Sequence, residues 1–277
     1  MQEQRIIDAT ANFRPHPELG LYKYLGIEGG KALDPAGYLK VMDRAGVEMT
    51  GLVAGVVAIG VGGEVQSADP DEIAQAIADH PGRYFGWIGV NPLTTMATLK
   101  RIEYGVTELD FRAVHVYPHW FGVPINDRLY YPIYAKCAEL GIPIGLQVGS
   151  QSMRSGGRCV AQPILLDDVA FHFPELKILG LHIGTPWAHE MAMICRNHEN
   201  VHMVADAHPP TQWERDVLDY IQQKEWTNKD GSSKVIWGTD WPVQDPTDSL
   251  AEVHSLGFSP EVETKLLGEN AVKMFRL

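Results

Sequence analysis

The sequence predicts a (β/α)8 barrel, and three observations carry that prediction. Eight short apolar runs rich in Val and Ile recur along the chain, with helix-like segments between them. Two of those runs end abruptly in a reactive side chain, as barrel strands do when they deliver residues to an active-site face. The length, 277 residues, suits a fold that needs roughly 250.

The eight strands are expected at Arg5–Ala11, Met49–Val57, Tyr84–Val90, Ala113–Tyr117, Pro143–Val148, Lys177–Ile183, Val201–Ala205 and Lys234–Gly238. The helices between them carry their own punctuation. Asp69-Pro70-Asp71-Glu72 reads as a cap, a proline at the first helical position and acids in the first turn. Ile73, Ala76 and Ile77 follow at helical spacing. Pro132 starts a helix that runs to Leu140, and Gly141 ends it. Ser259-Pro260 opens the last helix, where Val262, Leu266, Leu267 and Met274 form one buried stripe. A doubly wound open sheet is the competing fold, but it usually places a glycine-rich phosphate loop after its first strand. None follows Ala11. No linker, low-complexity tract or repeat divides the chain, so residues 1–277 are read as a single barrel domain. Gly149–Gln162 is expected to be an extended loop after the fifth strand, and Thr227–Ser233 a polar turn on the opposite, stabilising face.

Composition narrows the function. With 45% hydrophobic and 21% charged residues the chain is globular. A net charge of −12 argues against nucleic acid or an anionic membrane as partner. No apolar run approaches the ~20 residues of a membrane span. The N-terminus lacks a basic-then-apolar signal pattern, and Cys137, Cys159 and Cys195 show no metal-type pairing, so a reduced cytoplasm is expected.

Reactive groups gather where the strands end. The first strand offers Thr10 and Asn12, then Arg14 and His16. The fourth gives His115, Tyr117 and His119, followed by Trp120 and Phe121. The fifth ends in Gln147, the sixth in His182, the seventh in Asp206 and His208, the eighth in Asp240. This polar, histidine-rich mouth over an apolar body suits a small-molecule substrate. Taken alone, Asp240 could be a helix cap and His182 a satisfied core histidine. Together, at two strand ends in this order, they point to chemistry. His115 and His119 both face the mouth only if the chain turns after Tyr117-Pro118; otherwise His119-Trp120 is a packed loop over the barrel.

The order of motifs resembles the amidohydrolase superfamily, in particular its "amidohydrolase 2" branch of metal-dependent hydrolases and aromatic-acid decarboxylases. The likeness runs from Ile7-Asp8 through Phe111-Arg112-Ala113-Val114, the stretch Tyr134 to Pro143, Leu181-His182-Ile183-Gly184 and Gly238-Thr239-Asp240-Trp241-Pro242 to Gly268-Glu269-Asn270-Ala271. The Gly-Thr-Asp-Trp-Pro segment is especially similar to the lactonases of that branch. The resemblance implies an opening Asp-x-His-x-His, both histidines binding a divalent metal, and a third ligand histidine after the fifth strand. Here that frame reads Asp8-Ala9-Thr10-Ala11-Asn12, and the fifth strand ends in Gln147. Neutral Thr, Asn and Gln are weak ligands for zinc, so no metal is expected in the inherited frame. A relocated zinc or manganese site would have to draw on His115, His182, Asp206, His208 and Asp240.

Some lactonases of the branch are thought to work without a metal, and the expectation follows them. The predicted reaction is hydrolysis of a lactone or another ester or amide bond in a small, anionic, carbonyl-containing substrate. Asp240 is the candidate base, and His182 the oxyanion donor or proton relay. Thr10, Asn12, His115, His119, Gln147 and His208 are candidate substrate contacts. Arg14, Arg154 and Arg158 are candidate grips on an anionic group; for the last two, solvated loop charge is the competing reading. Two rivals are a metal-dependent carboxy-lyase acting on aromatic or unsaturated acids and a non-catalytic ligand-binding barrel. Related barrels often associate through their outer helices, so a homo-oligomer is compatible with the sequence.

Overall fold

Eight parallel strands close into a barrel in the order β1-β2-β5-β6-β7-β8-β9-β10. The computed structural model describes residues 4–13, 34–58, 65–149, 158–222 and 230–277. The strands are β1 (Ile7–Asn12), β2 (Met49–Ala54), β5 (Tyr84–Gly89), β6 (Ala113–Val116), β7 (Ile144–Gln147), β8 (Ile178–Leu181), β9 (Val201–Ala205) and β10 (Val235–Trp237). Every apolar run expected to form a strand contributes one. A two-stranded antiparallel hairpin, β3 (Val56–Ala58) with β4 (Val65–Ser67), stands apart from the barrel.

That hairpin corrects one boundary. The run Met49–Val57 reads as a single strand, but the barrel strand stops at Ala54 and Val56–Ala58 leaves it. Gly55 sits at the break, where a Cβ would lie 3.0 Å from the Tyr117 ring. The close approach of ring and backbone is what the missing side chain permits. The strand expected through Ile183 likewise ends at Leu181, and His182–Gly184 becomes a tight turn.

Helices cover the outside: α1 (Pro35–Ala45), α2 (Pro70–Asp79), α3 (Thr95–Thr107), the single turn α4 (Pro118–Phe121), α5 (Tyr131–Leu140), α6 (Leu166–His172), α7 (Ala188–Asn197), α8 (Arg215–Ile221), α9 (Pro246–Ser255), α10 (Pro260–Thr264) and α11 (Asn270–Phe275). The expected caps are made. The Asp69 carboxylate accepts from the Asp71 amide, and the Ser259 hydroxyl from the Val262 amide. Gly141 closes α5 in the left-handed region, at φ 63°. The segment after Ser259 is less regular than one helix, because a wide turn at Lys265–Glu269 separates α10 from α11. Leu266, Leu267 and Met274 are buried as expected; Val262 is only partly so. The part of Thr227–Ser233 that is described is a short helical turn capped by Asp230. No helix among the described residues is long and apolar enough to cross a membrane.

The core has two parts. The larger lies between strands and helices. The smaller fills the barrel itself, with Ile7, Ala9, Val53, Phe85, Trp87, Ala113, Leu179, Leu181, Val204 and Ile236, and α11 plugs its lower end with Ala271, Met274 and Phe275. Phe275 packs 4.9 Å from Phe85 and 5.2 Å from Trp87, centre to centre. Trp87 Nε1 donates to the Ala9 carbonyl at 3.0 Å, so the one polar atom of the largest interior side chain is satisfied.

The seam between β1 and β10 is closed differently from the other pairs. Backbone pairing there shrinks to one bridge, Ala11 with Trp241. Side chains take over. Asp8 Oδ1 accepts from the Thr239 amide at 2.8 Å and Oδ2 from the Thr239 hydroxyl at 2.6 Å. Tyr38, on α1, adds a longer bond to Asp8 at 3.4 Å.

Candidate active site

An irregularity in β1 shapes the mouth. Asp8 pairs with Thr50 and Ala11 with Leu52, so β1 carries one residue more than β2 over that span. Ile7 and Ala9 face the barrel interior. In a regular strand of the same sequence Thr10 and Asn12 would face outward, since side chains alternate along a strand. The bulge reverses the parity, and both reach residues at the C-terminal ends of β9 and β10.

Asp206 is the hub. Its Oδ2 accepts from the Thr10 hydroxyl at 2.7 Å, and its Oδ1 from the His182 amide at 2.8 Å. His182 Nδ1 lies 3.1 Å from the same Oδ1, near enough for an ion pair though off the line of a straight hydrogen bond. Burial works against charge on either partner. For His182 the field of Asp206, helped by Asp240, overcomes it and raises the imidazole to about 9. For Asp206 the adjacent imidazolium and the bonds from His182 and Thr10 outweigh burial and hold the carboxyl below its ordinary range.

Asp240 is the second carboxylate of the mouth. Asn12 Nδ2 donates to its Oδ1 at 2.8 Å and to the Trp241 carbonyl at 3.1 Å, while Asn12 Oδ1 accepts from the Tyr117 hydroxyl at 3.1 Å. Asp240 Oδ2 makes no hydrogen bond among the described residues. Burial raises the carboxyl to about 7, partly countered by the charge of His182. The residue is still partly open to solvent, so its carboxylate is packed deep yet reachable. Its backbone is held in the left-handed region, at φ 52°, as are His182 at 65°, Ile183 at 50° and Ala207 at 61°. Such conformations cost about 1–3 kcal/mol each for residues other than glycine. They recur after β8, β9 and β10, where the residues with chemistry sit.

Three neutral histidines surround this pair. Burial, helped by the charge of His182, lowers His115 to about 3 and His119 and His208 to about 4. The His115 ring lies 4.2 Å from that of Tyr117. The turn required after Tyr117-Pro118 is α4, which bends the chain over the mouth and carries His119. Gln147 ends β7 beside Leu181, one residue before His182.

Not all the expected contacts gather there. Arg14 and Arg154 lie outside the described residues. Arg158 is exposed, its side chain lies along Gly122, and its backbone, not its guanidinium, meets His119. The packed-loop reading was right for Trp120, which is buried with Tyr117 against Val57 and Ala58 of the hairpin. Four contributors were missed as such: Asp8 and Thr239, which brace Asp240 from the seam; Tyr117, which orients Asn12; and Asp206, considered only as a metal donor. An Asp at a strand end was the available signal for Asp206.

Among the described residues the donors do not gather as they would around a divalent metal. Among the described residues no three His, Cys, Asp or Glu side chains converge as a ligand group, which removes the relocated set as a ready site. The inherited frame is equally committed. The Thr10 hydroxyl is bound to Asp206, and both ends of the Asn12 amide are engaged.

The amidohydrolase family model matches residues 8–277. Solved structures share the fold across the whole chain at low identity. An uncharacterised TIM-barrel protein of Bordetella bronchiseptica superposes with a TM-score of 0.80 at 20% identity, covering 98% of each chain. A 2,6-dihydroxybenzoate decarboxylase from Rhizobium gives 0.74 at 17% identity over 99% of each. A 5-carboxyvanillate decarboxylase from Novosphingobium aromaticivorans, crystallised with manganese and a nitrobenzoic acid, gives 0.70 at 16% identity over 100% of this chain and 97% of that one. With the strand-end His182 and Asp240 in place on an eight-stranded barrel, and the family pattern matched from Asp8 to the last residue, this chain belongs to the amidohydrolase family.

Proposed function

We propose that this protein is a metal-independent hydrolase that opens a lactone, or cleaves another ester or amide bond, in a small anionic substrate. The observation that carries the reading is a buried carboxyl and a buried imidazole brought to one mouth, both raised so that base and cation coexist above neutral pH. Asp240 is raised to about 7 and His182 to about 9, so near pH 8 a carboxylate base stands beside an imidazolium. Asp240 takes a proton from water, and the oxygen attacks the substrate carbonyl. The imidazolium of His182 stabilises the oxyanion, supplying by a fixed charge what a metal supplies elsewhere. The C–O bond breaks, and the leaving alkoxide recovers the proton from Asp240. Asp206 keeps His182 charged, and Thr10 keeps Asp206 in place. Asn12 fixes one oxygen of Asp240 and leaves the other for water. Gln147, His115 and His208 line the substrate's path. A cytoplasmic enzyme acting on a small molecule is consistent with the net charge of −12 and the three free cysteines.

A second reading, a carboxy-lyase, is favoured by the decarboxylases among the structural neighbours, several of which hold manganese. The two separate in one experiment: chelator-treated protein, checked for metal by plasma mass spectrometry, is offered lactones, activated esters and hydroxylated aromatic acids. The hydrolase reading expects ester or lactone turnover without metal. Its kcat/KM should rise through about pH 7 as Asp240 ionises and fall through about pH 9 as His182 loses its proton. Release of carbon dioxide that requires added manganese or zinc would replace it with the lyase.

A further inference from the structure

We propose that the floor of the barrel, at the end opposite the mouth, binds a doubly charged oxyanion of the phosphate type through Lys177, Lys273 and Arg276. Such a site stands apart from the reaction proposed above. Basic residues stand just before several barrel strands, and on one side of the floor each has its acid. Arg5, before β1, pairs with Glu48 at 2.7 Å; Arg83, before β5, with Asp43 at 2.7 Å; Arg112, before β6, with Asp110 at 2.6 Å. On the other side the pairing stops. Lys177 stands before β8, Lys273 lies in the plugging helix α11, and Arg276 follows just past its end. None of the three makes an ion pair among the described residues.

Strand register brings these groups together. Ile178 pairs with Val201, so Lys177 lies beside the start of β9, where His202 follows. His202 shares a strand face with Val204, and Lys177 with Leu179 and Leu181, all interior residues of the barrel. The Arg276 guanidinium borders the group from the β7 side, where one nitrogen lies 3.2 Å from the place a Cβ on Gly141 would take. Lys234, before β10, adds charge, with its ammonium committed to the carbonyls of His198, Glu199 and Val201. The local field is one-sided. Burial, then the charges of Arg276 and Lys273, lower the Lys177 ammonium, and no carboxylate counters them. Burial, then the charges of Lys234, Lys273 and Lys177, push His202 down to about 3, and its Nδ1 has no hydrogen bond among the described residues. Like charges held together cost stability unless an anion joins them, and this chain has a net charge of −12. The dipole of α11 favours a cation at its end, but Lys177 belongs to another element. The group opens to water: Lys273 and Arg276 are exposed, Lys177 and His202 partly so. The planar fork of Arg276 matches two oxygens of a phosphate, and the lysines supply point charges. Three cations call for more charge than one carboxylate carries.

The test titrates inorganic phosphate and phenyl phosphate into the intact protein by calorimetry, with acetate and chloride at matched ionic strength as comparisons. Both phosphates should bind saturably and more tightly than either comparison ion. Equal affinity for the two would make the free ion the ligand, and tighter binding of phenyl phosphate a phosphate group carried on a small molecule; either result keeps the site. Lys273→Gln and Arg276→Gln should each weaken phosphate about tenfold, the worth of one charge-assisted hydrogen bond. Without phosphate both variants should melt at the temperature of the unsubstituted protein or above it, because like charge has been removed. With phosphate the gain in melting temperature should shrink in both. In ¹⁵N-histidine spectra the His202 resonances should move with phosphate and saturate with the calorimetric constant. Phosphate that binds no better than acetate, binding untouched by both substitutions, or shifts confined to the histidines of the mouth overturns the proposal. A floor indifferent to phosphate that retains polyglutamate is a protein-docking face, and overturns it too.

Discussion

The two ends of the barrel obey different rules. At the lower end α11 presses Ala271, Met274 and Phe275 against Phe85 and Trp87, and the Trp87 indole finds its carbonyl. At the upper end His182, Ile183, Ala207 and Asp240 hold positive φ, and His115 Nδ1, His119 Nε2 and His182 Nδ1 are buried without a well-formed bond among the described residues. One end gains stability by packing; the other gives stability up to hold charges and acceptors where water would otherwise relax them. The lesson is a division of labour along the barrel axis, with the strands between them rigid enough to keep the two apart.

Substitutions can break that division. The largest effect on turnover is expected from Asp240→Asn, which should lower kcat on a hydrolysed lactone about 10²–10⁴-fold, the usual worth of a general base. Thermal stability should be little changed or higher, since the variant is neutral where burial disfavours charge. Near-normal turnover would remove Asp240 from the mechanism. Phe275→Ala should do the opposite: about 3–5 kcal/mol of stability lost in denaturant titration, with kcat kept in the protein that remains folded. A selective loss of kcat would show that the plug and the mouth are coupled. The smallest and sharpest change is expected from Asp206→Asn. His182 loses the carboxylate that raises its pKa, so the alkaline limb of kcat/KM should move down from about 9 by at least ~1 unit. A limb that stays near 9 would assign it to another group.

Packing was far more legible than the polar seam. Each barrel strand, covered on both faces, is a compact apolar run between turn residues, so Val201–Ala205 could be read to the residue. Asp240 and His182 stood out because each ends such a run. Gly55 misled, since Val56 and Val57 continue the β-like pattern after the strand has left the barrel. Asp8 and Thr239, 231 residues apart, and Thr10 and Asp206, 196 apart, leave no local trace. Periodicity reports which face a residue takes, not which distant strand it will meet. Arg158 shows the same limit from the other side, because side-chain chemistry drew attention to a residue whose role at the mouth is carried by its backbone.

The extra residue in β1 gives this enzyme one point where the strand can lose length without losing register. A codon lost between Asp8 and Ala11 would leave an uninterrupted ladder against β2, so the scaffold could absorb it. Ala11 would still lie opposite Leu52, so everything downstream would keep its facing and Asn12 its bond to Asp240; what would be lost is one of the two consecutive inward residues, Ala9 or Thr10. In most of the barrel a deletion is a threat to folding. Here it would take out one inward residue and leave its neighbours in register, so losing Ala9 spares the Thr10 hydroxyl on Asp206 and losing Thr10 removes it, with the rest of the mouth unmoved.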